Sequence, residues 1–287
     1  MKQTLTTLVL LLTIVFNMQA TSADSIYYHH QPTDTAIIHK ILRETRMAGF
    51  DNPADRLVYA ARKLVNTPYK SGTLEGTTEQ LTINMSELDC TTLVENAIAL
   101  AFTAAVDTAM ADEFAQNLRN IRYRGGVVNG YASRLHYVSD WIADNAARGN
   151  FSEVTSQFAK ASRATKTINY MTTHRRSYPA LLASDTLFEQ MKKVESDWVN
   201  YRYHYIPVPL LASEAASSWF KNGDIVLFTT STKGLDVSHM GIIVIERGVP
   251  YLLHASSKAR RVVVEKQSLY NYVTSNNVIS GVRIVRL

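Results

Sequence analysis

The chain predicts an α+β fold with an antiparallel sheet, on three observations. Apolar residues recur at helical spacing through most of the first two hundred positions. From Tyr201 onward the pattern changes to short alternating or continuous apolar runs typical of strands. Helices gathered first and strands last favour an antiparallel sheet over an alternating parallel one. The third observation is the single cysteine, Cys90, preceded by turn-prone polar residues and followed by Leu93, Ala97, Ile98 and Ala101. That places the only thiol of the 287-residue chain at the first turn of a helix beginning near Asp89.

Taken in order, Lys2 precedes the uncharged run Leu5–Phe16, and small residues follow up to Ala20 and Ala23. This is the layout of a secretory signal peptide over residues 1–23. The run is shorter than the about 20 residues that span a bilayer. The remaining 24–287 are expected to be exported as one catalytic domain, soluble and periplasmic. Adjacent His29 and His30 would point to opposite faces of a strand and so do not suggest a shared metal. Ile37, Ile38, Ile41 and Leu42 mark a helix over 34–48. Asn52-Pro53 supplies an N-cap and a first-turn proline for a second helix to about Val65. Asn66–Glu75 is a polar loop holding Tyr69. The Cys90 helix is expected to reach about Val106, and another runs over 112–123. Residues 131–138 read as a strand, 139–147 as a short helix and 184–200 as a longer one. The stretch 151–183 carries no clear period. Six strands follow, over 201–208, 224–230, 237–246, 250–255, 261–266 and 280–286. Helical turns are expected at 213–220 and 268–274.

Thirty Lys and Arg against 25 Asp and Glu give a formal charge of +5, which suits an anionic partner or substrate. No dense basic block or reader motif points to nucleic acid. No His-Glu-x-x-His run or similar spacing points to zinc, and no cofactor is called for.

In an oxidising compartment an unpaired cysteine is a buried inert thiol, an intermolecular bridge or a nucleophile. Unpaired N–H groups and the dipole at a helix start favour a thiolate, the attacking form. A nucleophile needs a base, and His239, within the apolar run Val237–Val244, is the best-placed imidazole. A core histidine satisfied by a backbone carbonyl would read the same way. His254 bears on the choice. If Arg247 and Gly248 are the central residues of a two-residue turn, Glu246 pairs with Val249 and Gly241 lies opposite His254. His239 and His254 then share one face as diagonal neighbours. A three-residue loop would put them on opposite faces. Gly241 would leave open space beside the pair. The group orienting His239 could be His254, Ser256 or an asparagine from elsewhere.

Asp89-Cys90 at a helix start, Ser238-His239-Met240-Gly241-Ile242 on a strand and His254-Ala255 on the next resemble the NlpC-type papain-like cysteine peptidases of bacterial cell-wall metabolism. Asn66-Thr67-Pro68-Tyr69 is similar to the family's segment before the cysteine. Arg134-Leu135-His136-Tyr137, Asp140–Asn145, Thr173-His174-Arg175 and His254–Ser257 resemble its N-acetylmuramoyl-L-alanine amidase-like subgroup. The resemblance implies a papain-like core, in which a helix carrying Cys90 packs on an antiparallel sheet carrying His239 and His254. It also implies cleavage of the amide between the lactyl group of (anhydro-)N-acetylmuramic acid and L-alanine in small muropeptides. Cys90, His239 and His254 would be catalytic. Tyr69, Arg134, His136, Tyr137, Arg175 and Ser238 would bind substrate, with Arg134, Arg175 and Arg176 available to its carboxylates. No metal is implied. The cysteine and histidine motifs lie further apart than in compact members, so residues 107–205 are expected to be a helical insertion or lid. A stem-peptide endopeptidase, an acyltransferase and a non-catalytic wall-binding protein remain the alternatives.

Overall fold

A computed structural model describes residues 25–287; the expected leader lies outside the described residues. The chain opens with β1 (Ile26–Tyr28), α1 (Gln31–Met47) and α2 (Pro53–Lys63). Asn52 caps α2, its side chain accepting from the Asp55 N–H at 2.8 Å. A loop leads to β2 (Leu81–Ile83), which pairs in parallel with β1, a small sheet that the sequence pattern did not reveal. Then come α3 (Cys90–Thr103), α4 (Ala111–Arg122) and α5 (Val138–Ala147). The middle stretch resolves into short pieces: β3 (Ser152–Glu153), β4 (Ser162–Lys166), α6 (Tyr170–Thr173) and α7 (Pro179–Ala183). Next are α8 (Asp185–Ser196), β5 (Tyr201–Pro207), α9 (Glu214–Trp219), β6 (Ile225–Thr230), β7 (Val237–Glu246) and β8 (Val249–Ser256). The chain closes with β9 (Arg261–Ser268), α10 (Leu269–Thr274) and β10 (Ile279–Arg286).

The fold is α+β with an antiparallel main sheet in the order β4-β5-β10-β6-β7-β8-β9, and β3 pairs the end of β10. Helices α1 to α4 pack with one side of the sheet, around Leu227, Met240, Ile242, Val244, Leu253 and Ala255. The other side, with Val226, Phe228, Ile243, Leu252 and Val282, is covered by α9 and α10.

Two sequence expectations change. The strand expected over 131–138 does not form. Tyr131–Ser133 is a 3-10 turn, and Arg134 makes only an isolated bridge to Tyr123. The residues alternate, but no neighbouring strand is there to pair with them. The stretch 107–205, expected to be helical, also carries β3, β4 and most of β5, which continue the main sheet. Its first helix, α4, is anchored to α3 through a buried ion pair, Arg122 Nε to Glu95 Oε2 at 2.6 Å, while Arg122 Nη1 donates to the Thr82 carbonyl.

Candidate active site

The first turn of α3 is built by its cap. Asp89 accepts from the Thr92 N–H at 2.8 Å, and Thr92 Oγ1 accepts in return from the Asp89 N–H at 2.9 Å. This reciprocal box fixes where the helix starts and makes Cys90 its first residue. The loop before it is zipped in place. Tyr69 N–H donates to the Arg260 carbonyl, Leu88 N–H to Pro68 and Lys70 N–H to Leu88. Tyr69 is thereby held against the start of α3, and burial, with Cys90 and Asp89 adding, pushes its phenol pKa up.

Cys90 is partly exposed. The Thr91 hydroxyl lies 4.0 Å from its sulfur, and the Met240 N–H of β7 donates toward it. Its proton is held tightly: burial first, then the Asp89 carboxylate, push the thiol up to about 11. This works against a resting thiolate. The helix end is worth about 0.3–1 kcal/mol, less than one pKa unit, and desolvation outweighs it.

The histidines come together through the β7–β8 hairpin. Glu246 pairs with Val249, and Arg247 and Gly248 both have positive φ, as a two-residue primed turn requires. The resulting parity puts the imidazoles in contact: His239 Nε2 is 2.6 Å from His254 Nδ1. His254 Nε2 is in turn 2.9 Å from Glu265 Oε1 on β9. Ser256 is otherwise engaged, its hydroxyl accepting from the Ala259 N–H. Gly241 does not leave open space. A Cβ there would stand 2.7 Å from Leu253 O and Leu252 Cδ1 and 3.0 Å from His254 Cβ. The glycine is needed because the neighbouring strand fills that space.

His239 stacks on Phe228, with ring centroids 5.8 Å apart, and Tyr272 of α10 closes the edge, 5.2 Å from His254 and 5.6 Å from Phe228. Burial, then the neighbouring His254, lower His239 to about 3, and burial lowers His254. Burial raises Tyr272 to about 12, with Glu265 and Cys90 adding. Burial thus favours the neutral forms of sulfur and imidazoles alike. Beside His239, β7 bulges: His239 pairs with Phe228 and Val237 with Thr229, leaving Ser238 as the extra, exposed residue.

A cavity of ≈ 170 Å³ opens beside the first turn of α3, between Asp89, Thr91, the Glu75 loop, Arg134 and His136. His136 Nε2 is bonded to the Tyr131 carbonyl at 2.8 Å, and burial, then Arg134, keep this imidazole well below its usual pKa. Arg134 does line the cavity, but it is buried and already paired with Glu75 at 2.9 Å and Glu79 at 3.2 Å. Its charge is therefore spent within the protein.

Two expected binding residues are elsewhere. Tyr137 is buried, donating to Glu195 and accepting from the Met171 N–H, both at 2.7 Å, and so pins α5 to α6 and α8. Arg175 donates to the Leu181 carbonyl, pairs with Asp185 and covers the ring of Phe188 at 4.5 Å. Glu265 and Tyr272 were missed. On a strand, Glu265 reads as a solvated acid, and Tyr272 as one aromatic of a short helix. Among the described residues no cluster of three or more His, Cys, Asp or Glu could hold a metal ion, and no helix is long and apolar enough to cross a membrane.

Comparison with known proteins bears on what this arrangement serves. Residues 59–282 match the AmiA-like family model, described as N-acetylmuramoyl-L-alanine amidase-like. No curated protein matches the chain. Among solved structures, an N-acetylmuramoyl-L-alanine amidase from Bacteroides uniformis ATCC 8492 is 38% identical, with a TM-score of 0.76. The alignment covers 82% of this chain and 98% of that one. A Bacteroides fragilis protein named as a candidate xylanase is 42% identical over 79% of this chain and 98% of its own, with a TM-score of 0.74. A Legionella pneumophila protein shares the fold at 21% identity and a TM-score of 0.69, over 89% of this chain and 95% of its own. The chain belongs to the AmiA-like, N-acetylmuramoyl-L-alanine amidase-like family.

Proposed function

We propose that the protein is an exported cysteine amidase that cuts the bond between the lactyl group of (anhydro-)N-acetylmuramic acid and L-alanine in small muropeptides. The observation that carries this is the hydrogen-bonded chain His239–His254–Glu265, on the hairpin whose Met240 N–H donates to the sulfur of Cys90. We assign the core to the papain-like, NlpC-type arrangement on the same grounds: the cysteine helix packs on the strands that carry the histidines.

In this reading the thiol of Cys90 gives its proton to His239 as the sulfur attacks the lactyl carbonyl. The main-chain N–H of Cys90, at the open end of α3, faces the developing oxyanion, and Tyr69 lines the same side. The tetrahedral intermediate collapses to a thioester on Cys90. The L-alanine amine leaves with the proton from His239. Water then attacks the thioester, giving its proton to His239, and the muramic acid carboxylate departs as the thiol re-forms. Two neutral groups exchanging a proton during attack fit a thiol pushed up and an imidazole pushed down by burial. Of the expected binding residues, Tyr69 beside the sulfur, Ser238 exposed on the bulge, and His136 and Arg134 in the cavity are the ones that would meet substrate in this reading. A lobe over 107–205 that narrows the cleft would favour small fragments over intact wall.

A glycosidase needs two carboxyl groups about 5–10 Å apart across an open cleft. The acids around the cavity are committed otherwise: Glu75 to Arg134, Glu95 to Arg122 and Asp89 to the helix cap. The test is mass spectrometry of a disaccharide-tetrapeptide digest. Free tetrapeptide is expected from the wild type and is lost, by about six orders of magnitude in rate, in Cys90→Ala. A dipeptide product would make the protein an endopeptidase. Binding without turnover by the wild type would make it a wall-binding module. Export is checked by the mass of the mature chain, expected to begin after Ala20 or Ala23.

A further inference from the structure

The chain of hydrogen bonds behind His239 has a direction, and the direction is set at its far end. A carboxylate oxygen only accepts. The nitrogen 2.9 Å from Glu265 Oε1, His254 Nε2, must therefore carry a hydrogen. A neutral imidazole carries one, so His254 Nδ1 is a lone pair. At 2.6 Å from it, His239 Nε2 must be the donor. The remaining nitrogen of His239, Nδ1, is then the unprotonated one, and it has no hydrogen-bond partner among the described residues.

We propose that Glu265 is a positioning residue: acting through His254, it fixes the tautomer of His239 so that Nδ1 is the atom that takes the sulfur's proton. This rests on the reading of Cys90 as nucleophile and His239 as base. The groups facing the imidazole pair are Glu265 from β9, Tyr272 from α10 and Phe228 from β6. Phe228 cannot hydrogen-bond to an imidazole edge, and Tyr272 meets His254 with its ring edge-on. Without Glu265, His254 is free to carry its hydrogen on Nδ1. His239 Nε2 would then accept, and the hydrogen of His239 would move to Nδ1, which blocks it as a base. When His239 is protonated during attack, the Nε2–H still points down the chain, and the Glu265 carboxylate stabilises the positive charge through His254.

The experiment is nitrogen-15 NMR of histidine-labelled full chain, which reads each ring's tautomer without turnover. In the wild type His239 is expected to carry its hydrogen on Nε2 and His254 on Nε2. In Glu265→Ala both rings are expected to redistribute. Glu265→Gln, which keeps an oxygen acceptor, is expected to restore the wild-type tautomers. With muropeptide, Glu265→Ala is expected to lower kcat by about 10- to 1,000-fold, short of the about 10⁴-fold that a wrong tautomer costs a Ser–His–Asp triad, with KM within about twofold. A wild-type His239 protonated on Nδ1 overturns the proposal whether or not the variants fold. So does a folded Glu265→Ala that leaves both tautomers unchanged. If the wild type never cleaves muropeptides, the amidase reading fails, and the spectra still decide the role of Glu265.

Discussion

Cys90 stands between opposing influences. The open end of α3 and the Met240 N–H favour a bare sulfur; burial and the Asp89 carboxylate favour the thiol and prevail. Alkylation by iodoacetamide is therefore expected to be slow at pH 7 and to rise about tenfold per pH unit to beyond pH 9. Asp89→Asn removes the charge but keeps an oxygen for the Thr92 N–H, so the rate profile should move to lower pH with the helix cap intact. A fast plateau at neutral pH would show a resting thiolate instead. At this scale the sequence was legible wherever residue type is scarce. One cysteine and two histidines on adjacent strands stand out. An acid on a strand does not, so Glu265 was invisible. Nor does a sequence show which charges are already paired, which is why Arg134 and Arg175 read as free to bind.

The β7–β8 hairpin carries the His239–His254 pair, and Gly241 is its tightest point. Alanine there would press its Cβ on Leu253 O and Leu252 Cδ1 at 2.7 Å. Backbone cannot yield as a flexible side chain can, so Gly241→Ala is expected to cost about 1–3 kcal/mol. A lowered urea midpoint with unchanged slope would show it. A loss below about 0.5 kcal/mol would mean that the two strands separate freely at this point. The hairpin was legible because turn chemistry and strand alternation are local. The same holds for α2 and α8, whose caps, Asn52 and Ser184, mark their starts. The segment 131–138 misled because alternation without a partner strand is not a strand, and 151–183 is built of pieces too short to show a period.

The whole molecule ties its early helices to its late strands through buried charge and imidazole. Asp236, just before β7, accepts from the Ser139 N–H of α5. Arg283 of β10 donates to Ser139 Oγ and pairs with Glu153 of β3. That interweaving ties residues 107–205 into the main fold. His136, His239 and His254 are all held below the ordinary imidazole pKa by burial, with Arg134 adding for His136 and His254 for His239. Below about pH 6.5 the unfolded chain binds more protons at these positions than the native fold does. Stability is therefore full above pH 7 and falls as pH drops through 6.5, by at most about 1.4 kcal/mol per pH unit for each group. As the carboxyl groups begin to titrate, the balance becomes mixed. Burial raises Glu79, Glu95 and Asp140, so their protonation favours the native state, while Glu44, Glu87 and Glu113 are lowered and act in the opposite sense. The diagnostic window is pH 7 to 5. Scanning calorimetry should give a Tm that falls across it, and His136→Asn, which leaves the hairpin untouched, should flatten the fall. A Tm that stays constant from pH 7 to 5 would mean that these imidazoles take up protons in the native state as readily as in the unfolded chain, and that burial does not hold His239 neutral.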